Sequence, residues 1–115
     1  MPAVTYNTTI EQGADWYVNF QWTDTSGNPI NLSGYTAALQ VRTSPLAKTT
    51  VLSLTSSSGI AITNGTGTLA VHATAAQTGA ITNGLYSYDM EITSGSGIVT
   101  RLVQGSITVS AQVTR

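Results

Sequence analysis

Few residues in this chain could carry acid–base or nucleophilic chemistry. It contains one histidine, His72, no cysteine and five carboxylates. A metal site needs several convergent ligands, and His72 follows Val71 on a predicted strand with no Asp, Cys or second His near it in sequence. A serine nucleophile would need that histidine beside it, and no Gly-x-Ser-x-Gly sequence is present. We therefore expect a structural histidine and a protein that is not an enzyme.

Two groups of oxygen-bearing residues have spacings that also occur in functional sites. Asp89 and Glu91 are two positions apart, so on a strand they would share one face and could flank a substrate. A solvated strand face has the same spacing, with Arg101 as an ion-pair partner across a hairpin. Asp24, Ser26 and Asn28 have the alternating spacing of the first ligands in a calcium loop. The segment lacks the bidentate Glu that completes such a loop, so a turn explains it better. We expect no catalytic residue, metal or cofactor.

The composition argues against two classes of partner. Charged residues make up 8% of the chain, where about 25% is typical. With a net charge of −1 and four Lys and Arg residues, the surface offers no basis for neutralising nucleic-acid phosphates. No segment approaches the roughly 20 apolar residues of a membrane span, and residues 1–5 lack the features of a signal peptide. We expect no nucleic acid and no membrane partner, and synthesis in a cytoplasm.

Alternation of apolar and polar residues predicts strands throughout the chain. In residues 15–23, large apolar side chains occupy every second position and point to one side of an extended segment. Trp16 and Trp22 share this parity with Val18 and Phe20, which favours the core over an exposed sugar-binding platform. The other predicted strands cover residues 4–10, 35–42, 51–55, 59–63, 66–73, 84–92, 98–103 and 107–113.

Short strands separated by Gly, Pro, Asn and Ser predict an all-β fold. We expect a single domain over residues 1–115, an antiparallel β-sandwich of immunoglobulin-like type with about seven to nine strands. Residues 73–79 predict at most one short helical turn. Residues 84–88 resemble the tyrosine-corner strand of such sandwiches, with Tyr88 where antibody domains carry a cysteine. The expected core is Trp16, Val18, Phe20, Trp22, Tyr35, Leu39, Val41, Leu69, Val71, Tyr86, Tyr88, Met90, Ile92, Leu102, Ile107 and Val109.

Two kinds of surface are candidates for protein contacts. The terminal segments 4–10 and 106–114 are uninterrupted β-formers with few charges, so we expect at least one sheet edge there to be completed by another chain. The second candidate is a polar face rich in interface-forming residue types, which is equally typical of an ordinary solvated sheet face. Its residues are Tyr17, Asn19, Gln21, Gln40 and Arg42.

Several segments of the chain resemble a known group of domains. They are residues 10–16 (Ile-Glu-Gln-Gly-Ala-Asp-Trp), 22–24 (Trp-Thr-Asp), 27–37 (Gly-Asn-Pro-Ile-Asn-Leu-Ser-Gly-Tyr-Thr-Ala), 84–92 (Gly-Leu-Tyr-Ser-Tyr-Asp-Met-Glu-Ile) and 99–109. Together they resemble the small β-sandwich domains of tailed-phage virion proteins, including the N-terminal domain of baseplate upper proteins. The resemblance covers nearly the whole chain.

The resemblance implies a role in assembly. It predicts a structural component of a tailed bacteriophage virion, in the tail, baseplate or fibre region or as a capsid decoration protein, made in the host cytoplasm. Its partners would be other virion proteins, including further copies of itself in a homo-oligomer. The alternative is a secreted adhesion or carbohydrate-binding module, which an exposed aromatic platform would favour.

Overall fold

The computed structural model describes residues 4–24, 26–48 and 50–113. These residues form nine strands, one α-helix of five residues and a 3₁₀ helix of three residues at Asn64–Thr66. In chain order the strands and the α-helix are β1 (Val4–Thr5), β2 (Thr8–Glu11), β3 (Trp16–Gln21), β4 (Thr36–Arg42), β5 (Leu52–Thr55), β6 (Ile60–Thr63), β7 (Thr68–Ala73), α1 (Ala75–Gly79), β8 (Gly84–Thr93) and β9 (Val99–Ser110). The predicted helical turn at 73–79 is therefore α1, and the two predicted strands at 98–103 and 107–113 form the single strand β9.

The strands form two sheets. The larger has the order β9-β8-β4-β5, with β1 and β2 both pairing on the outer side of β9, and the smaller has the order β3-β7-β6. All neighbours are antiparallel except β1 and β2, which run parallel to β9. The two sheets face each other as layers of an immunoglobulin-like sandwich. The predicted fold class is confirmed.

The core lies between the two sheets, and the predicted core was partly wrong. Most of the predicted residues are buried, but five on β3, β9 and the loops beside β3 are only half-buried. These five are Val18, Phe20, Trp22, Tyr35 and Leu102. Side chains on the inner face of β3 are only partly covered because β3 is an edge strand of the smaller sheet, with one side of that face open. Buried hydrophobic residues that the predicted core did not include are Ile10, Leu32, Ala37, Leu52, Leu54, Ile60, Ala73, Ile81 and Val103.

The connection from β7 to β8 is held by specific hydrogen bonds. Tyr86 Oη donates to the Thr82 carbonyl oxygen at 2.5 Å, which is the tyrosine corner that the sequence predicts. Helix α1 begins with a capping box between Thr74 and Gln77. The buried hydroxyl of Thr78 donates to the Ala14 carbonyl oxygen at 2.8 Å. This last bond fixes α1 against the turn that leads into β3.

Of the two terminal segments predicted to supply a sheet edge, only the N-terminal one lies at an edge. Strand β9 pairs with β8 on one side and with β1 and β2 on the other, through pairs such as Val4 with Val103 and Ile10 with Val109. The described part of segment 106–114 therefore lies inside the sheet and is not an edge. The N-terminal strands cover it, and they themselves form an edge of the larger sheet.

A glycine allows β1 and β2 to lie against β9. The Tyr6 carbonyl occupies the space that a Cβ atom of Gly105 would fill. At the same place Asn7 Oδ1 accepts a hydrogen bond from the Ser106 N–H at 3.0 Å, and Tyr88 Oη donates to the Tyr6 oxygen at 2.6 Å. The break between β1 and β2 therefore lies where the Tyr6 carbonyl packs against Gly105.

Gly105→Ala should destabilise the protein, because the new methyl group would displace the Tyr6 carbonyl and weaken the pairing of β1 and β2 with β9. We expect a loss of about 1–3 kcal/mol in the free energy of unfolding, measured by urea denaturation. Gly65→Ala is the matched control, since a methyl group at that position would meet no atom within 4 Å beyond its own chain neighbours. Equal stabilities for the two variants would contradict this role of Gly105.

The stability of the fold should also decrease at alkaline pH through Tyr88. Burial raises the pKa of Tyr88 from 10.0 to about 12, and the nearby Tyr6 phenol adds to the increase. When the pH lies between these two pKa values, Tyr88 binds fewer protons in the unfolded state than in the folded state. The free energy of unfolding therefore decreases as the pH rises. The full shift corresponds to about 1–3 kcal/mol.

Urea denaturation from neutral pH to about pH 12 would measure this decrease. Tyr88→Phe should be less stable at neutral pH, because the bond to Tyr6 is lost, but should show a shallower alkaline decrease. Tyr17→Phe is the control, since the Tyr17 side chain is exposed. Parallel pH profiles for the wild type and Tyr88→Phe would refute the assignment.

Candidate interaction site

The structure divides the predicted polar face between two sides of the molecule. Tyr17, Asn19 and Gln21 lie on β3 in the smaller sheet, whereas Gln40 and Arg42 lie on β4 in the larger sheet. Since the sheets pack through their inner faces, the outward side chains of β3 and β4 point in opposite directions. No single surface therefore contains all five residues. They form two separate candidates.

The two arginines on the β4 side, Arg42 and Arg101, have partners within the chain. Arg42 Nη2 donates to Gln40 Oε1 at 2.7 Å, and its Nη1 donates to the Ala47 carbonyl oxygen at 3.0 Å. Arg101 Nε lies 3.3 Å from Asp89 Oδ2, which is one of the two ion pairs that the sequence allowed. Both groups border a shallow groove of about 390 Å³. An exposed ion pair of this kind contributes well under about 1 kcal/mol.

The β3 side carries a stacked pair of rings. Tyr17 and His72 have ring centroids 4.3 Å apart and an interplanar angle of 5°. They are cross-strand partners on β3 and β7. The His72 N–H donates away from β3, to the Gly59 carbonyl oxygen at 2.8 Å, so Tyr17 and His72 form a non-hydrogen-bonded pair. In such pairs the side chains are closest, which explains the stack.

Asp15 joins this pair to helix α1. Its Oδ2 lies 3.4 Å from His72 Nε2, and its Oδ1 accepts a hydrogen bond from the Ala75 N–H at 2.7 Å. Residues 56–58 and small alanines border an adjoining depression of about 430 Å³. Within the described residues no three His, Cys, Asp or Glu side chains cluster as metal ligands would. His72 thus has an acidic partner that sequence proximity could not reveal, because 57 positions separate them.

One edge of β3 has unpaired backbone groups. The Trp22 N–H donates to the Gly67 carbonyl oxygen at 2.8 Å, which sets the phase of the ladder to β7. Even-numbered residues of β3 therefore bond to β7, and the N–H and C=O groups of Tyr17, Asn19 and Gln21 point the other way. No strand among the described residues pairs with that side. We call these backbone groups the β3 edge.

An apolar cleft opens beside the β3 edge. It has a volume of about 250 Å³ and lies between β3 and β9; its apolar lining includes Phe20, Trp22, Val4 and Leu102, and Arg101 also borders it. The side chain of Val4 is 64% exposed. Leu102 reaches the cleft because a β-bulge omits it from the pairing of β9 with β8. The open flank that leaves Phe20 and Trp22 half-buried is this cleft.

None of the described helices has the length and hydropathy to span a membrane.

Comparison with known proteins finds similarity in fold. No family model and no curated protein matches the chain. The structure of CopC from Methylosinus trichosporium OB3b is similar with a TM-score of 0.50 and 12% identity, over 93% of this chain and 88% of that one. The SrpA adhesin R347E mutant of Streptococcus sanguinis has 16% identity and a TM-score of 0.45, over 91% of this chain and 55% of that one. At these identities the likeness concerns the sandwich fold alone.

Proposed function

We propose that this protein is a non-catalytic structural component of a tailed-bacteriophage virion. Its place would be the tail, baseplate or fibre region, or the capsid surface as a decoration protein. The sequence resemblance described above supports the class of particle. The β3 edge, lying beside an apolar cleft, is the observation that supports action through protein contacts.

The β3 edge lacks two of the usual protections against pairing with another strand. Proteins commonly block exposed edges with charged residues, proline or a covering loop. Strand β3 has the sequence Trp-Tyr-Val-Asn-Phe-Gln and contains neither charge nor proline. An added strand would satisfy its free N–H and C=O groups, while alternate side chains of that strand would enter the cleft. The edge therefore suits addition of a strand from a neighbouring virion protein.

The composition suits dense packing in a particle. With 8% charged residues and a net charge of −1, identical or different subunits can approach without strong electrostatic repulsion. The chain has no cysteine, so its stability rests on packing and hydrogen bonding in any redox environment.

Mass spectrometry of purified virions from the source phage tests the proposal. We expect the protein in the particle at a copy number fixed relative to the portal or tail-tube protein, because a structural part occupies a set number of positions. Host lysate without phage serves as the control. Consistent absence from gradient-purified particles would overturn the proposal.

A second candidate function is carbohydrate binding by an adhesion module. The observation that favours it is the exposed stack of Tyr17 and His72, since aromatic rings on a sheet face can pack against sugar rings. Tyr17 is 69% exposed, and the neighbouring depression is lined partly by serines at 56–58.

A glycan array followed by calorimetry separates the two functions. The virion proposal expects no glycan affinity from this domain. If a glycan binds, Tyr17→Ala should abolish binding under the alternative, while Arg42→Ala, on the opposite face, should leave it unchanged. Binding with that pattern of variants would establish the second function.

A further inference from the structure

The β3 edge and its cleft also specify a partner. We infer that β3 pairs antiparallel with β3 of a second copy of this chain, about a two-fold axis at Asn19, so that two three-stranded sheets become one continuous sheet. The inference rests on the proposed function in one respect, that the β3 edge serves in assembly. It extends that function by naming the partner and the register of the two strands.

The phase of the backbone determines the register. Only Tyr17, Asn19 and Gln21 direct both backbone groups to the edge, because the intervening residues bond to β7. Antiparallel strands bond through residues placed directly opposite each other. Placing Asn19 opposite Asn19 puts Tyr17 opposite Gln21 in both copies, which satisfies all three residues of each strand. If the second strand is shifted by two positions, one of the three residues has no partner. If it is shifted by one position, each of the three lies opposite a residue whose backbone groups already bond to β7.

The side chains of β3 are compatible with this two-fold arrangement. A two-fold axis brings each surface against its own copy, so any charge near the axis meets the same charge. Strand β3 has no charged residue. On the outer face the Asn19 amides would oppose each other, and the Tyr17 phenol would oppose the Gln21 amide. The Asn19 amides can bond to each other, and the Tyr17 hydroxyl can donate to Gln21 Oε1, since Gln21 Nε2 already donates to the Thr66 carbonyl oxygen.

The apolar side chains favour the same arrangement. On the inner side, Val18 of one copy would oppose Phe20 of the other, and Trp16 would oppose Trp22. The second copy would therefore extend across the Trp22 end of the first, where the apolar cleft of about 250 Å³ opens. Pairing would cover Phe20 and Trp22, whose inner positions are otherwise only half-buried.

Strand β3 is also the longest uninterrupted edge strand among the described strands, because the edge formed by β1 and β2 is broken at residues 6–7. It has six residues, whereas β2, β5 and β6 have four each and β1 has two. Strand β2 also includes Glu11, which adds a negative charge to that edge. For these reasons we propose that a second copy of this chain pairs with β3. The test described below distinguishes this arrangement from docking of a different virion protein on the same edge.

The first test measures the oligomeric state of the full chain by sedimentation velocity over a range of concentrations. We expect a dimer for the wild type. Asn19→Asp should weaken association at least about tenfold, because two carboxylates would face each other on the axis. Association should return below the usual carboxyl pKa of about 4. Asn83→Asp is the matched control, since the same change at an exposed site before β8 should leave the dimer intact.

The second test determines the register through a covalent link. The chain has no cysteine, so Asn19→Cys introduces a single thiol. In a hydrogen-bonded antiparallel pair the Cα atoms lie about 5.5 Å apart, within the range that a disulfide spans. Oxidation should yield a covalent dimer of Asn19→Cys at a concentration where Asn83→Cys remains monomeric. Circular dichroism confirms that each variant folds.

The possible outcomes separate the inference from the proposed function. A wild-type monomer at high concentration would overturn self-pairing, and so would a dimer that survives Asn19→Asp and whose Asn19→Cys variant does not cross-link. If the monomer is nevertheless present in virions and Asn19→Asp reduces its incorporation, a different virion protein uses the edge, and the proposed function stands. A dimer that is absent from virions would leave self-pairing valid and remove the proposed function.

Discussion

The parallel pairing of the N-terminal strands with β9 is the constraint on which the rest of the architecture depends. By joining the larger sheet, β1 and β2 cover β9 and leave β3 at the edge of the smaller sheet. The pairing requires Gly105, whose missing side chain makes room for the Tyr6 carbonyl, and Tyr88 bonds to that carbonyl from the core. If residues 4–11 paired with β3 instead, β9 would be exposed and the β3 edge would not exist.

The hydrogen-bond phase of β3 connects two surface features that otherwise look unrelated. Because the Tyr17 backbone points away from β7, Tyr17 and His72 form the closer type of cross-strand pair, and their rings stack. The same orientation leaves the Tyr17 N–H and C=O free at the edge. An exposed aromatic stack beside an unpaired edge is therefore one consequence of the ladder. A partner strand on this edge would run alongside the Tyr17 ring.

Local patterns in the sequence predicted the fold class, but they could not predict which strands are neighbours. Alternation shows which side chains of β3 share a face, and the tyrosine corner at Tyr86 was predictable because its bond to Thr82 is local. Alternation does not show how much cover that face receives, so the half-buried state of Trp22 was missed. The separation of Tyr17 from Arg42, and the meeting of Asp15 with His72, depend on pairing between distant segments. Parity within one strand carries no information about such pairing.

The scarcity of charge gives the β3 edge its significance. In a chain with ordinary composition, an uncharged strand of six residues would matter less, because charged neighbours could still prevent association. Here two charged residues near β3 and the cleft already have partners within the chain. Asp15 contacts His72 and the start of α1, and Arg101 pairs with Asp89. The three outward-facing residues of β3 offer amides and a phenol, which can bond to an identical copy without charge repulsion. Under the proposed pairing a partner strand would protect this edge, because it would satisfy the free backbone groups and cover the cleft.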